Sequence, residues 1–311
     1  MTKSQAWTTE RIPDQTGRVF VVTGANSGLG LATTRAIARS GGRVILAVRD
    51  EAKGRYAAER IAADRPGGPL EVRRLDLADL DSVRSFAERL RADGVRPDVL
   101  VNNAGVMAPP RTLSAQGHEL QFAANHLGHF ALTGLLLDLL AEGEDPRVVT
   151  VSSTNHRRGR IAFDDLDGGS RYSPMGHYNQ SKLANAVFGR ELHRRLAAAG
   201  SPVRSLLAHP GYAATNLQTG SPVGVVKLLF GRLLTPLAQT PERGALPQLF
   251  AATDPAALSG QFIGPGGTGE LRGAPKVVRP AEAADDAGTG RRLWELSERL
   301  TGVTFPFPAA G

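Results

Sequence analysis

Tyr178 and Lys182 stand four residues apart in the stretch Tyr178-Asn179-Gln180-Ser181-Lys182. On a helix this spacing puts both on one face, a turn from each other. A free phenol is a poor acid near neutrality, with a pKa of about 10. A cation held beside it favours the phenolate and lowers that value. Such a pair could exchange a proton with a carbonyl or alcohol oxygen at physiological pH. Alone the pattern is weak, because any amphipathic helix can carry it. It gains weight from a nucleotide-binding signature and a hydroxyl partner elsewhere in the chain.

The signature is Thr23-Gly24-Ala25-Asn26-Ser27-Gly28-Leu29-Gly30. It follows an apolar β-branched run over Gly17 to Thr23 and precedes an alanine-rich amphipathic segment reaching about Ser40. Strand, glycine turn and helix together aim backbone N–H groups and a positive dipole end at a pyrophosphate. The bland reading is a tight turn that needs glycine. Dinucleotide sites for NAD usually carry an acid at the end of the second strand. Here that strand ends Leu46-Ala47-Val48, with Arg49 next. A guanidinium can grip a 2′-phosphate by forked, charge-assisted bonds. NADP(H) is therefore the expected cofactor and NAD(H) the alternative. Against this stands an exposed Arg49 paired with Asp50 or Glu51.

Strands and helices alternate along the chain in the manner of βαβ units. Expected strands are Gly17 to Thr23, Arg43 to Val48, Leu70 to Leu75, Asp98 to Val101, Pro146 to Ser152, Val203 to Ala208 and Gly260 to Ile263. Between them lie helices over Glu51 to Asp64, Asp79 to Ala92, Ala115 to Ala141 and Pro174 to Ala199, with a last one over Arg291 to Leu300. The expected fold class is α/β: a doubly wound parallel sheet of Rossmann type, order 3-2-1-4-5-6-7, with ligand beyond the strands' carboxyl ends. With 311 residues and no break in composition, a single domain over 1–311 is expected.

The chain has no cysteine, which excludes disulfides and thiolate metal sites and fits a reducing cytoplasm. No apolar run of 18 residues is present, so no transmembrane helix is expected. The net charge of +7 comes from scattered arginines without an aromatic-interleaved stripe, so nucleic acid is not an expected partner.

Taken in order, Thr23-Gly-x-x-x-Gly-x-Gly30, Asn102-Asn103-Ala104-Gly105, Ser153, Tyr178-x-x-x-Lys182 and Pro210-Gly211 resemble the short-chain dehydrogenase/reductase family. Within it, Asn125-His-Leu-Gly-His-Phe130, Ser181-Lys-Leu-Ala-Asn185 and His209-Pro-Gly211 are most similar to the retinol dehydrogenase-like and protochlorophyllide reductase-like branch. The resemblance runs from Thr23 to about Thr215. It implies an oxidoreductase that moves hydride between a nicotinamide and a carbonyl/alcohol pair. Tyr178 would be its general acid or base, and Lys182 would lower the tyrosine's pKa and bind the nicotinamide ribose. Ser153 would bond the substrate oxygen, with Ser152 a competing candidate. Asn125 would anchor a water relaying protons to Lys182. Asp76, with Leu77 beside it, resembles the position that meets the adenine amine, or else belongs to a helix cap. Asn103, Ala104 and Gly105 would lie under the adenine ribose, where Asn103 could equally brace its strand. Pro210 and Gly211 through Thr215 resemble the segment that meets the carboxamide and phosphates.

Two segments, about 154–177 and 215–255, are expected on the substrate side. In the first, Asp164, Asp165 and Asp167 lie in a glycine-rich loop without ligand-like spacing, so no metal is expected. In the second, the apolar run Val223 to Leu234 reads as a lid, as core or oligomer contact, or as a weaker candidate for membrane contact. His126 and His129 read as polar or packing residues rather than ligands. The two long helices could form a homodimer or homotetramer face, or stay solvated. Two rival functions remain: a non-enzymatic NADP(H)-sensing regulator, and an epimerase or dehydratase, whose glycine turn Thr23 to Gly30 does not match.

Overall fold

A computed structural model describes residues 6–212 and 239–307. Eight strands form one sheet: β1 (Val19–Thr23), β2 (Arg43–Val48), β3 (Leu70–Arg74), β4 (Val99–Asn102), β5 (Arg147–Val151), β6 (Arg204–Ala208), β7 (Phe262–Pro265) and β8 (Pro275–Val278). Their order is β3-β2-β1-β4-β5-β6-β7-β8. The first seven are parallel and in the expected order, and β8 pairs antiparallel to β7. Four residues led by a proline give β8 no alternating pattern that a sequence reading could detect.

Side chains alternate between the two faces of the sheet, as strand geometry requires. Val21, Ile45, Leu100 and Val148 enter one apolar core, and Phe20, Val22, Leu46 and Val101 the other. Both faces are covered, which is why the strands read as continuous apolar runs. The first face carries α3 (Leu80–Ala92), α4 and α5 (Pro174–Ala198). The second carries α1 (Gly28–Arg39), α2 (Glu51–Ala62) and α6 (Pro241–Thr253). Helix α4 is composite: Leu120–Phe122, a π-helical turn Ala123–Leu127, then Gly128–Ala141. Two further helices, α7 (Glu282–Asp285) and α8 (Ala287–Thr301), complete the described chain.

Polar side chains set the helix starts. Asp50 accepts from Lys53 N, Asp79 from Asp81 N, and Ser173 from Gly176 N with Pro174 in the first turn. Helix α4 begins at Leu120 rather than Ala115. Gly117 adopts φ +84° and Ser114 N bonds His118 O, so the chain turns there before Glu119 caps Phe122 N.

The outer segments are described only in part. Of the segment 215–255, residues 215–238, including Thr215 and the Val223 to Leu234 run, lie outside the described residues. Helix α6, its remainder, packs on α1 behind the glycine turn, where Gln248 Nε2 donates to Thr33 Oγ1 at 2.6 Å. The outer faces of α4 and α5 carry the chain's own C-terminal part. The Phe130 ring lies 5.0 Å from Trp294 and 4.9 Å from Phe305, and Phe188 stacks on Trp294. At these positions the two helices are covered by the chain itself. Among the described residues, no helix is long and apolar enough to cross a membrane.

At the amino ends of the strands, Asp145 serves three arginines: Arg18 before β1, Arg147 opening β5 and Arg204 opening β6. Arg147 is fully buried, and burial lowers its pKa to about 10. Its remaining bonds go to the carbonyls of Ala251 and Asp254. Removing a partner leaves a buried charge under-compensated, a loss of about 3–5 kcal/mol. Asp145→Ala should therefore destabilise the fold by about 3 kcal/mol, the low end because two carbonyls remain. Urea unfolding of the two proteins measures this, and an unchanged midpoint contradicts it.

Candidate active site

A cleft of about 420 Å³ opens where β1 to β4 end. Gly24, Asn26, Ser27, Gly28, Leu29, Arg49, Asp76, Leu77, Asn103, Ala104 and Gly105 line it, all expected at a dinucleotide. Val106, Met107, Pro109, Leu120 and Ala124, not singled out in the sequence, add an apolar wall.

The glycine turn is sterically required. Gly24 and Gly28 have φ of +63° and +53°. A Cβ on Gly30 would stand 2.3 Å from Gly24 O and 2.6 Å from Asn103 Nδ2. Ser27 begins α1 without capping it through its side chain, so the first N–H groups of the helix face the cleft side uncapped. Such groups, with the helix dipole, suit an anion.

Arg49 is exposed on the cleft rim. Asp50, its expected rival partner, caps α2 and pairs with Lys53 instead. No described residue holds the Arg49 guanidinium. Asp76 spends one carboxylate oxygen on Ala78 N at 3.0 Å, while the cap of α3 falls to Asp79. Asn103 does brace its strand: Nδ2 donates to Thr23 O at 2.8 Å, and it also lines the cleft.

The groups expected to handle protons gather at the end of β5. Tyr178 and Lys182, on consecutive turns of α5, are 6% and 4% exposed. That deep burial decides their acidity. It pushes the Tyr178 phenol above its ordinary value, and a hydrogen bond to Ser153 works the other way. It lowers Lys182 to a pKa of about 8. Lys182 Nζ lies 5.9 Å from the centre of the tyrosine ring and donates to Val151 O at 3.2 Å. Burial and the Ser153 hydroxyl, rather than Lys182, set the direction of the Tyr178 shift here. Loss of hydration outweighs a cation that is not in contact with the phenol oxygen and is itself drawn toward neutrality.

The two serines separate cleanly. Ser152 is buried and donates to Lys182 O at 2.8 Å, which occupies it in backbone support. Ser153 is half-buried, bonds Tyr178 and accepts from Asn155 N at 3.2 Å. Asn125 sits in the π-helical turn. Its Oδ1 accepts from Val106 N at 2.8 Å, and its Nδ2 donates to Val106 O and Ser181 Oγ, both at 2.9 Å. A Cβ on Gly105 would meet Asn125 Oδ1 at 3.2 Å and Lys182 Nζ at 3.4 Å, so these two groups share one neighbourhood.

Pro210 and Gly211 follow β6, with Gly211 at φ +68°. The preceding His209 accepts from Gly211 N at Nδ1 and donates to Glu270 from Nε2 at 2.9 Å, and Glu270 also binds Arg157. His156 ties the same region to Ser153: Nδ1 donates to Ser153 O at 2.6 Å and Nε2 accepts from Ala281 N. The acids of the 154–177 segment staple loops. Asp165 accepts from Gly169 N and Asp167 from Glu119 N. Tyr172, donating to Pro109 O, joins this segment to the cleft's apolar wall. None of His209, Glu270 or Tyr172 stood out in the sequence as a site residue, although His209 lay within a noted phrase.

The model of the short chain dehydrogenase family matches residues 18–222. Retinol dehydrogenase 12 of Mus musculus is 40% identical over 289 residues, covering 92% of this chain and 87% of its own. Polyprenol dehydrogenase of Mus musculus is 41% identical over 298 residues, covering 94% and 86%. The crystal structure of an uncharacterized protein from Mycobacterium paratuberculosis has a TM-score of 0.81 at 47% identity, over 97% of this chain and 99% of that one.

Burying Lys182 has a pH signature. Its native pKa of about 8 lies below the free value of about 10.4. Between these two values the unfolded chain keeps a proton that the native chain has lost, so this residue's contribution to stability rises with pH. Lys182→Met lacks the effect. Its stability advantage over wild type should shrink from pH 8 upward, by at most about 1.4 kcal/mol per unit. Denaturant unfolding across that range measures it, and a constant difference contradicts the burial argument.

Proposed function

The chain belongs to the short-chain dehydrogenase family, and on that premise we propose that it interconverts a carbonyl and an alcohol on a lipophilic substrate with NADP(H). The observation that carries this reading is buried Tyr178, with the Ser153 hydroxyl near its phenol and Lys182 one helical turn away, beside a cleft walled by the glycine turn.

The uncapped start of α1 would hold the pyrophosphate, and Arg49 the 2′-phosphate. Asp76 has a carboxylate oxygen not spent on Ala78 N for the adenine amine. Asn103 to Gly105 would run along the adenine ribose, Lys182 would bind the nicotinamide ribose, and Pro210-Gly211 would meet the carboxamide side. The cofactor, when bound, supplies or accepts hydride at the substrate carbon.

Ser153 donates a hydrogen bond to the substrate oxygen, and Tyr178 delivers the proton that turns a forming alkoxide into an alcohol. A phenol raised by burial keeps its proton at neutral pH, which suits the reducing direction. In oxidation Tyr178 must first lose its own proton, and as the phenolate it then accepts the alcohol proton. Asn125 fixes the backbone of Val106 and the Ser181 hydroxyl, and so holds the site's floor beside Lys182. The relatives named for retinol and polyprenol dehydrogenation support a long apolar alcohol, or its carbonyl form, as substrate class. The apolar wall of Val106, Met107, Pro109 and Leu120 is consistent with it.

The test is cofactor discrimination on a panel of apolar aldehydes. Wild type should reduce long-chain aldehydes with a higher kcat/KM for NADPH than for NADH. Arg49→Ala should cut that preference about ten- to a hundredfold, the worth of a charged hydrogen bond. Equal use of both cofactors, or a ratio unchanged in the variant, removes Arg49 from the site. Binding of NADPH with no turnover of any aldehyde or ketone overturns the catalytic reading.

A further inference from the structure

His129 has no part in the proposed proton transfer, yet it is buried between Thr23 and Asn125, next to the site. It is 1% exposed, on the first turn of α4 after the π-helical stretch. Both ring nitrogens are bonded. Nδ1 lies 2.9 Å from the main-chain carbonyl of Asn125, and Nε2 lies 2.9 Å from Thr23 Oγ1. A carbonyl only accepts, so Nδ1 carries the proton. Nε2 must then accept, and the Thr23 hydroxyl must donate to it. That leaves the lone pairs of Thr23 Oγ1 for two backbone donors, Asn103 N and Ala104 N, each at 2.9 Å. Thr23 O takes Asn103 Nδ2, whose Oδ1 accepts from Gln248.

We infer that His129 is a positioning residue that locks the nucleotide half of the site to the proton-handling half. The inference rests on the reading of the cleft as an NADP(H) site. On one side the imidazole holds the Asn125 backbone in the π-helical turn, where the Asn125 side chain and Lys182 meet over Gly105. On the other it fixes which way the Thr23 hydroxyl points, and hence where Asn103 and Ala104 enter the cleft beside the glycine turn. Only a neutral imidazole can donate on one edge and accept on the other at this spacing. Burial keeps it neutral, lowering its pKa to about 4. Without the ring nitrogen, the hydroxyl's other acceptor is Val101 O, at 3.3 Å. Turning to it would pull the lone pairs from the Asn103 and Ala104 amides.

Two substitutions separate the two bonds. His129→Asn keeps an N–H near the Nδ1 position and loses the acceptor for Thr23. His129→Gln keeps an acceptor near the Nε2 position and loses the donor to Asn125. His129→Phe keeps the ring and loses both. NADPH affinity is read by fluorescence titration, kcat on a long-chain aldehyde at saturating NADPH, and folding by circular dichroism and thermal melting. His129→Asn should weaken NADPH binding about tenfold or more while kcat changes less. His129→Gln should lower kcat about tenfold or more while affinity changes less. His129→Phe should show both losses. If the Phe variant does not fold, the two small polar variants decide. Variants that melt earlier but keep wild-type affinity and kcat in the folded fraction overturn the proposal and make His129 a packing residue. Equal losses of both constants in the Asn and Gln variants overturn the division of roles. A wild type that binds no NADPH overturns the cleft reading, and this proposal with it.

Discussion

A lysine ammonium buried at the carboxyl edge of the central strands constrains everything around it. Lys182 is 4% exposed, and hydration lost on that scale disfavours a charge strongly. The protein surrounds it with oxygen rather than with a counter-ion. Val151 O accepts from Nζ, and Asn125 Oδ1 lies in the same neighbourhood. No carboxylate pairs with it among the described residues. Its charge is therefore held loosely, with a pKa near 8, instead of being fixed by an ion pair. Several local features serve this arrangement. Ser152 braces the lysine's carbonyl. The π-helical turn brings Asn125 to Val106, a kind of irregularity that tends to mark functional positions in helices.

The same edge gathers what an anionic, two-ended cofactor needs. Parallel strands all end on one side, so their following turns converge. From β1 comes the glycine turn with the uncapped start of α1, and from β2 comes Arg49. Behind β4 comes the Asn103 corner, and behind β5 the two serines with opposite duties. At the far edge of the sheet the charges are reversed in character. There one carboxylate, Asp145, is shared by three arginines at the strand starts.

The division between what was legible in the sequence and what was not follows contact range. The glycine turn, the Tyr178–Lys182 spacing and the first seven strands were readable because each depends on residues within a few positions of one another. So was the absence of an acid at the end of β2, where Val48 stands. The family resemblance already favoured Ser153 over Ser152, but only the fold shows that Lys182 O takes the Ser152 hydroxyl. The roles of His129, Gln248, His209 and Glu270 come from partners far along the chain; Gln248 reaches Thr33 and Asn103 across two other elements. β8 escaped because an edge strand of four residues has too little pattern. The direction of the Tyr178 shift was hidden for a related reason. Helical spacing reports a neighbour's charge but not the loss of water, and here burial was the larger effect.

The central claim is that Tyr178 delivers the proton as hydride reaches a carbonyl carbon. Single-turnover reduction of a long-chain aldehyde with NADPH deuterated at the transferring C4 position tests it most directly, in wild type and in Tyr178→Phe. The account predicts one deuterium on the product's carbinol carbon. It also predicts a rate about 10²- to 10⁴-fold slower in the variant, with NADPH affinity nearly unchanged. A Phe variant that keeps more than about a tenth of the wild-type rate with chemistry limiting, or an alcohol without deuterium, would contradict it.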